Sequence, residues 1–107
     1  MHGYQITFFT HHDRRHEGKH LADWLVDAAR TLGIRGATVL AGTEGFGQHR
    51  HLHSAHFFEL ADQPIEVTMV ASGEESERLF AHLRAHGVRV FYARSPVEFG
   101  TIGDDDV

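Results

Sequence analysis

Two periodicities alternate along this chain, and their order limits the fold more than any single residue does. In residues 3–10, Tyr4, Ile6 and Phe8 alternate with Gln5 and Thr7, the pattern of a half-buried strand. Leu21, Trp24, Leu25, Ala28 and Leu32 then recur at i, i+3, i+4, i+7 and i+11. That spacing predicts an amphipathic helix over about 20–32, with Gly33 placed to stop it. Residues 36–42 predict a short second strand, and residues 65–71 a third, after a turn at Asp62-Gln63-Pro64. Ser72-Gly73-Glu74-Glu75 has the form of a capping box. Leu79, Phe80 and Leu83 follow at helical spacing, and this helix is expected to end near 86, before Gly87. Val88, Val90 and Tyr92 alternate with Arg89 and Phe91 in a fourth strand, which Pro96 is expected to end.

Strand, helix, strand, strand, helix, strand is the order of a ferredoxin-like βαββαβ domain of the α+β class. The sheet should be antiparallel, with the two helices on one face. The other face is expected to carry Gln5, Thr7, Thr38 and Thr68 or their apolar alternates. Phe9, Val70 and Phe91 do not all fit under the helices, which leaves apolar surface for a partner subunit. The length, 107 residues, suits one domain over 1–107. Its acidic end, Asp104-Asp105-Asp106, is expected to be disordered over 104–107. Residues 57–61 fit an extension of either neighbouring strand.

Several function classes drop out early. There is no cysteine, so disulfides, thiolate metal sites and cysteine catalysis are excluded. The net charge of −5 disfavours nucleic acid. No apolar run approaches the roughly 18 residues of a membrane span, and Met1-His2-Gly3-Tyr4-Gln5 lacks the layout of a signal peptide. The expectation is a cytoplasmic protein without membrane insertion.

Residues 11–20 and 42–56 read as polar loops, and between them they hold eight of the eleven histidines. Gly42-Thr43-Glu44-Gly45-Phe46-Gly47 follows the second strand directly. Glycines there let a phosphate approach exposed backbone N–H groups. The spacing is neither a dinucleotide fingerprint nor a Walker loop, and a simple flexible turn is the other reading. His49, His51 and His53 alternate, so on extended backbone their imidazoles would project to one side and could share a metal. A histidine-rich metal-binding or metal-sensing loop is therefore the alternative function, against a merely solvated loop. His12, His16 and His20 would align on a helix, but Gly18 and a helix starting near 20 argue against it. Catalysis has little support. There is no Gly-x-Ser-x-Gly elbow, and Ser54 is near His53 and His56 only in sequence. The chain is expected not to be an enzyme, with a small hydrolase at Ser54 as the remaining rival.

Gly18-Lys19-His20-Leu21, Gly36-Ala37-Thr38-Val39-Leu40, Glu44-Gly45-Phe46-Gly47 and His53-Ser54 occur in this order. The ordered set resembles the PII-like family known as domain of unknown function 190, over about residues 3–100. The resemblance implies a ferredoxin-like subunit in a PII-type homotrimer. It also implies a signalling or regulatory role, with an adenine nucleotide (AMP, ADP or ATP) in a cleft between subunits. The 42–56 loop would touch a protein partner, for which a membrane transport protein is one candidate. By position, Gly42, Gly45 and Gly47 would give close backbone approach, Phe46 would lie at the cleft, and Glu44, His53 and Ser54 would flank it. Lys19 would offer charge to phosphate. Position 20 is His where the family usually has Pro, and position 41 is Ala where many relatives have Arg. If that Arg contacts phosphate in the family, this chain would bind nucleotide weakly or use Arg89 or Arg94 instead. Histidines of the two loops would add positive charge as pH falls.

Overall fold

The computed structural model describes residues 1–45, 53–54 and 63–103. Expectations for the loop tip (46–52), for 57–61 and for the acidic end (104–107) lie outside these residues. Four long strands form the sheet: β1 (His2–His11), β4 (Ala37–Ala41), β7 (Pro64–Ser72) and β8 (Phe91–Glu98). Two short ladders accompany it, β2 (Arg15–His16) with β3 (Lys19–His20), and β5 (Glu44–Gly45) with β6 (His53–Ser54). The helices are α1 (Leu21–Thr31) and α2 (Gly73–Ala85). The sheet order is β4-β7-β1-β8, antiparallel at every pairing. This is the expected α+β ferredoxin-like arrangement, with the two halves interleaved.

Register puts one face of every strand under the helices. Ile6 pairs with Met69 and Phe8 with Val67, and all four are buried with Ile65 and Ala71. Leu21, Trp24, Leu25, Ala28 and Ala29 of α1, and Leu79, Phe80 and Leu83 of α2, close over them. The opposite face carries Gln5, Thr7, Thr38 and Thr68, as expected. Thr38, Thr68 and Thr7 are in register across β4, β7 and β1. The Thr7 and Thr68 hydroxyls lie 3.1 Å apart. Phe9, Val70 and Phe91 are on this uncovered face too. Phe91 is 74% exposed and its ring lies 5.6 Å from that of Phe9.

Local chemistry sets the helix ends. The Glu75 N–H donates to Ser72 Oγ (3.1 Å) and the Ser72 N–H to Glu75 Oε1 (2.8 Å), completing the capping box. Gly33 and Gly87 take positive φ (79° and 68°). Both helices then end in the same two bonds: Ile34 N to Ala29 O with Gly33 N to Arg30 O, and Val88 N to Leu83 O with Gly87 N to Arg84 O. That is the Schellman motif at both C-termini. At the start of α1, His20 is the cap residue without a capping side chain. The Leu21 N–H is satisfied by Arg14 O at 2.7 Å instead.

Two expectations are corrected. Residues 11–20 are not a plain loop, because Arg15 pairs with His20 and His16 with Lys19 around a Glu17-Gly18 turn. Both turn residues have positive φ (51° and 82°), the geometry of a tight hairpin. Nor does Pro96 end the fourth strand. β8 starts at Phe91 and runs through Pro96 to Glu98. It is an edge strand paired with β1 alone, and an edge tolerates a residue without an N–H.

Candidate functional site

The base of the 42–56 loop gathers four of the residues singled out from sequence. Glu44 pairs with Ser54 and Gly45 with His53, so β5 and β6 form a clasp beneath the tip. Gly42 is tied down just before it, its N–H donating to Pro64 O at 2.8 Å. A Cβ at Gly42 would meet Pro64 only at ordinary contact distance, 3.4 Å. Crowding therefore does not demand glycine there. Phe46, Gly47, His49 and His51 lie outside the described residues.

Lys19 is held within its own subunit. Its Nζ lies 2.9 Å from Asp27 Oδ2 on α1, and Arg30 reaches the same carboxylate at 3.6 Å. The hydrogen bond, then the charge, of Asp27 raises the ammonium above its ordinary value. The same contact lowers the Asp27 carboxyl. Both side chains are exposed, so the pair adds little to stability.

Arg89 has different company. It lies between α2 and β8, and its charge acts on Arg14, which lies between β1 and β2. Burial first, and Arg89 second, hold the Arg14 guanidinium below its ordinary value. Neither arginine has a carboxylate ion-pair partner among the described residues. Their planar donor sets suit the oxygens of a phosphate. Sequence reasoning missed Arg14, because the charge that acts on it comes from Arg89, a residue far away in sequence.

Arg94, the other arginine weighed for phosphate, is already engaged. Its Nη1 donates to the buried Ser76 Oγ at 2.9 Å, and its guanidinium lies over the rings of Tyr4 (4.6 Å) and Phe80 (4.9 Å). It is a packing residue. A groove of about 270 Å³ lined by Arg35, Thr38, Thr68 and Glu75 touches none of the residues chosen from sequence.

The helical alignment of His12, His16 and His20 is not formed. The hairpin brings His20 to His12, ring centroids 4.7 Å apart, with His20 Nδ1 2.6 Å from His12 O. His16 turns instead to Trp24, beside His82 and His86 of α2. Among the described residues no three His, Asp or Glu groups form a metal cage.

Residues 3–98 match the family model of DUF190, described as Uncharacterized ACR. The chain belongs to DUF190. A UPF0166 protein of Aquifex aeolicus is 26% identical over 80 residues, covering 74% of this chain and 76% of that one. Among solved structures, a PII-like signalling protein of Thermus thermophilus superposes with a TM-score of 0.66 at 18% identity, covering 91% of this chain and 88% of the other. CPII, a nitrogen regulatory PII-like protein of Thiomonas intermedia, gives 0.57 at 18% identity over 91% and 89%. That structure holds ADP, AMP and bicarbonate. At such identities the shared property is the PII-like fold. None of the described helices of this DUF190 chain is long and apolar enough to cross a membrane.

Proposed function

We propose that this DUF190 chain is a single-domain, non-enzymatic PII-like regulatory protein of the cytoplasm. It binds an adenine nucleotide between the subunits of a homotrimer. The observation that carries this reading is that Arg14 and Arg89, the second of which acts on the first through its charge, have no carboxylate ion-pair partner among the described residues. They belong to a PII-like fold that in CPII is seen with ADP and AMP. Arg89 and Arg14 hold phosphate. Gly42, Glu44, Gly45, Phe46 and Gly47, with His53 and Ser54 across the clasp, form the loop side, and Lys19 adds charge once released from Asp27. Nucleotide occupancy favours one arrangement of the 42–56 loop by binding it more tightly, and a partner protein such as a membrane transporter reads that arrangement. Calorimetry with AMP, ADP, ATP and cyclic dinucleotides tests this. Binding of an adenine nucleotide is expected, and no heat from any of them at millimolar concentration overturns the reading.

The uncovered sheet face supports the assembly. Phe9, Leu40 and Phe91 are all exposed there, on the side where neither α1 nor α2 packs. Sedimentation is expected to give a trimer for the wild type, and monomer for Phe91→Asp, because a carboxylate cannot be buried unpaired at such a contact. A wild-type monomer at micromolar concentration would remove the inter-subunit cleft.

A further inference from the structure

The sheet edge is notched where β4 begins. β4 starts at Ala37, opposite Met69, while β7 runs on to Ser72. The groove of about 270 Å³ lies at this notch. Thr38, Thr68 and Val70 line it from the strands, Arg35 from the segment before β4, Glu75 from the first turn of α2, and Phe99 from just beyond β8. It is set away from the Phe9–Phe91 end of the uncovered face.

Backbone contacts fix its walls. The Phe99 N–H donates to Met1 O at 2.8 Å, which extends the β1–β8 ladder. Gly3 makes room for the Phe99 ring, since a Cβ on Gly3 would come within 2.9 Å of it. The capping box holds Glu75, whose Oε1 accepts from the Ser72 N–H at 2.8 Å. Arg35 follows Ile34, which is buried and whose N–H closes the end of α1 on Ala29 O at 2.9 Å.

Opposite charges therefore line one groove without meeting. Arg35 is exposed, and neither it nor Glu75 has an ion-pair partner among the described residues. Only one Glu75 oxygen is engaged, by the cap. A ligand with a single charge pairs with one of these groups and meets the other as a like charge or an idle one. A ligand that carries both charges serves both. Its carboxylate takes the guanidinium fork of Arg35, its ammonium takes the second oxygen of Glu75, and the Thr38 hydroxyl can add a hydrogen bond. Val70 and the Phe99 ring are left for an apolar substituent. We propose that this groove binds a zwitterionic α-amino acid with a small apolar side chain.

Size and charge also say what it refuses. A volume of about 270 Å³ falls just under the roughly 300 Å³ at which pockets for drug-sized ligands begin. It has room for a small amino acid and too little for a nucleotide, whose phosphates Glu75 would repel. The proposal is independent of the nucleotide reading, with which it shares no residue.

The test titrates L-valine into the full chain and follows backbone amide chemical shifts. Saturable shifts are expected at Arg35, Thr38, Thr68 and Glu75, with half-saturation in the millimolar range for so small a ligand. Two analogues each remove one charge: 3-methylbutanoate lacks the ammonium and 2-methylpropylamine lacks the carboxylate. Each should bind about tenfold more weakly than valine, and Arg35→Gln and Glu75→Gln should each weaken valine binding by about as much. Glutamine serves at the third position of a capping box as glutamate does, so Glu75→Gln removes the charge and keeps the helix start. Absence of saturable shifts at tens of millimolar valine overturns the proposal. So does valine affinity unchanged in both variants, and so does 3-methylbutanoate binding as tightly as valine, which would leave Arg35 a site for carboxylates alone.

Discussion

Phe8→Ala is expected to remove about 3–5 kcal/mol of stability, read as a lowered urea midpoint at fixed protein concentration. Phe8 is fully buried on β1, the strand flanked by β7 and β8. It stands opposite Val67 on one side and Tyr92 on the other. Its ring lies 6.0 Å from Phe80 of α2, which also meets Tyr92 at 4.8 Å. Truncation loses the transfer of a phenyl ring and leaves a void where sheet and helix meet, which strands on both sides hold open. Domains of this size are stable by only about 5–15 kcal/mol in total, so a large share of the margin goes with one ring. A shift below about 1 kcal/mol would mean that α2 collapses onto the sheet far more freely than this packing suggests.

Arg14→Ala combined with Arg89→Ala is expected to weaken ADP binding by more than about a hundredfold. Each hydrogen bond to a charged group is worth about 1.5–3 kcal/mol. Each single variant should lose roughly a tenfold factor, the lower end of that range converted at about 1.4 kcal/mol per decade. Thermal stability moves the other way from what a structural role demands. Arg89→Ala relieves the charge that bears on the partly buried Arg14, so the ligand-free melting temperature should hold or rise. Calorimetry and thermal unfolding of the same samples check both halves. Unchanged ADP affinity in the double variant would clear both arginines of a phosphate role. A fall in melting temperature for Arg89→Ala would make it a packing residue like Arg94.

Much of this fold can be read locally. Ile6 and Phe8 alternate with polar neighbours, Ser72 and Glu75 are three residues apart, and Gly33 and Gly87 each follow an apolar helical stripe. Every one of those signals arises within a few residues and is satisfied within a few residues. Where tertiary surroundings decide, local reading fails. Pro96 is tolerated only because β8 is an edge. The Glu17-Gly18 turn joins strands of two residues each, too short to show a period. The site divides in the same way. Order of motifs points to Glu44, Gly45, His53 and Ser54, and the β5–β6 register brings them together. His16, His82 and His86 gather around the Trp24 ring only through contacts between distant segments. No spacing encodes such meetings.

The row of Thr38, Thr68 and Thr7 across the uncovered sheet face has a consequence for any copy that docks there. Phenyl and leucyl groups adhere to almost any apolar surface, in almost any orientation. Hydroxyls are less forgiving, since each must meet a partner or lose one. Thr7 and Thr68 already meet each other, which lowers the cost of drying the middle of the face. A docking copy offset by two residues along the strands would set its rings against that row and its own hydroxyls against Phe9 and Phe91. In such a docking, adhesion would come from the Phe9–Phe91 end of the face, while the threonines would act as an alignment mark that penalises mis-seated neighbours.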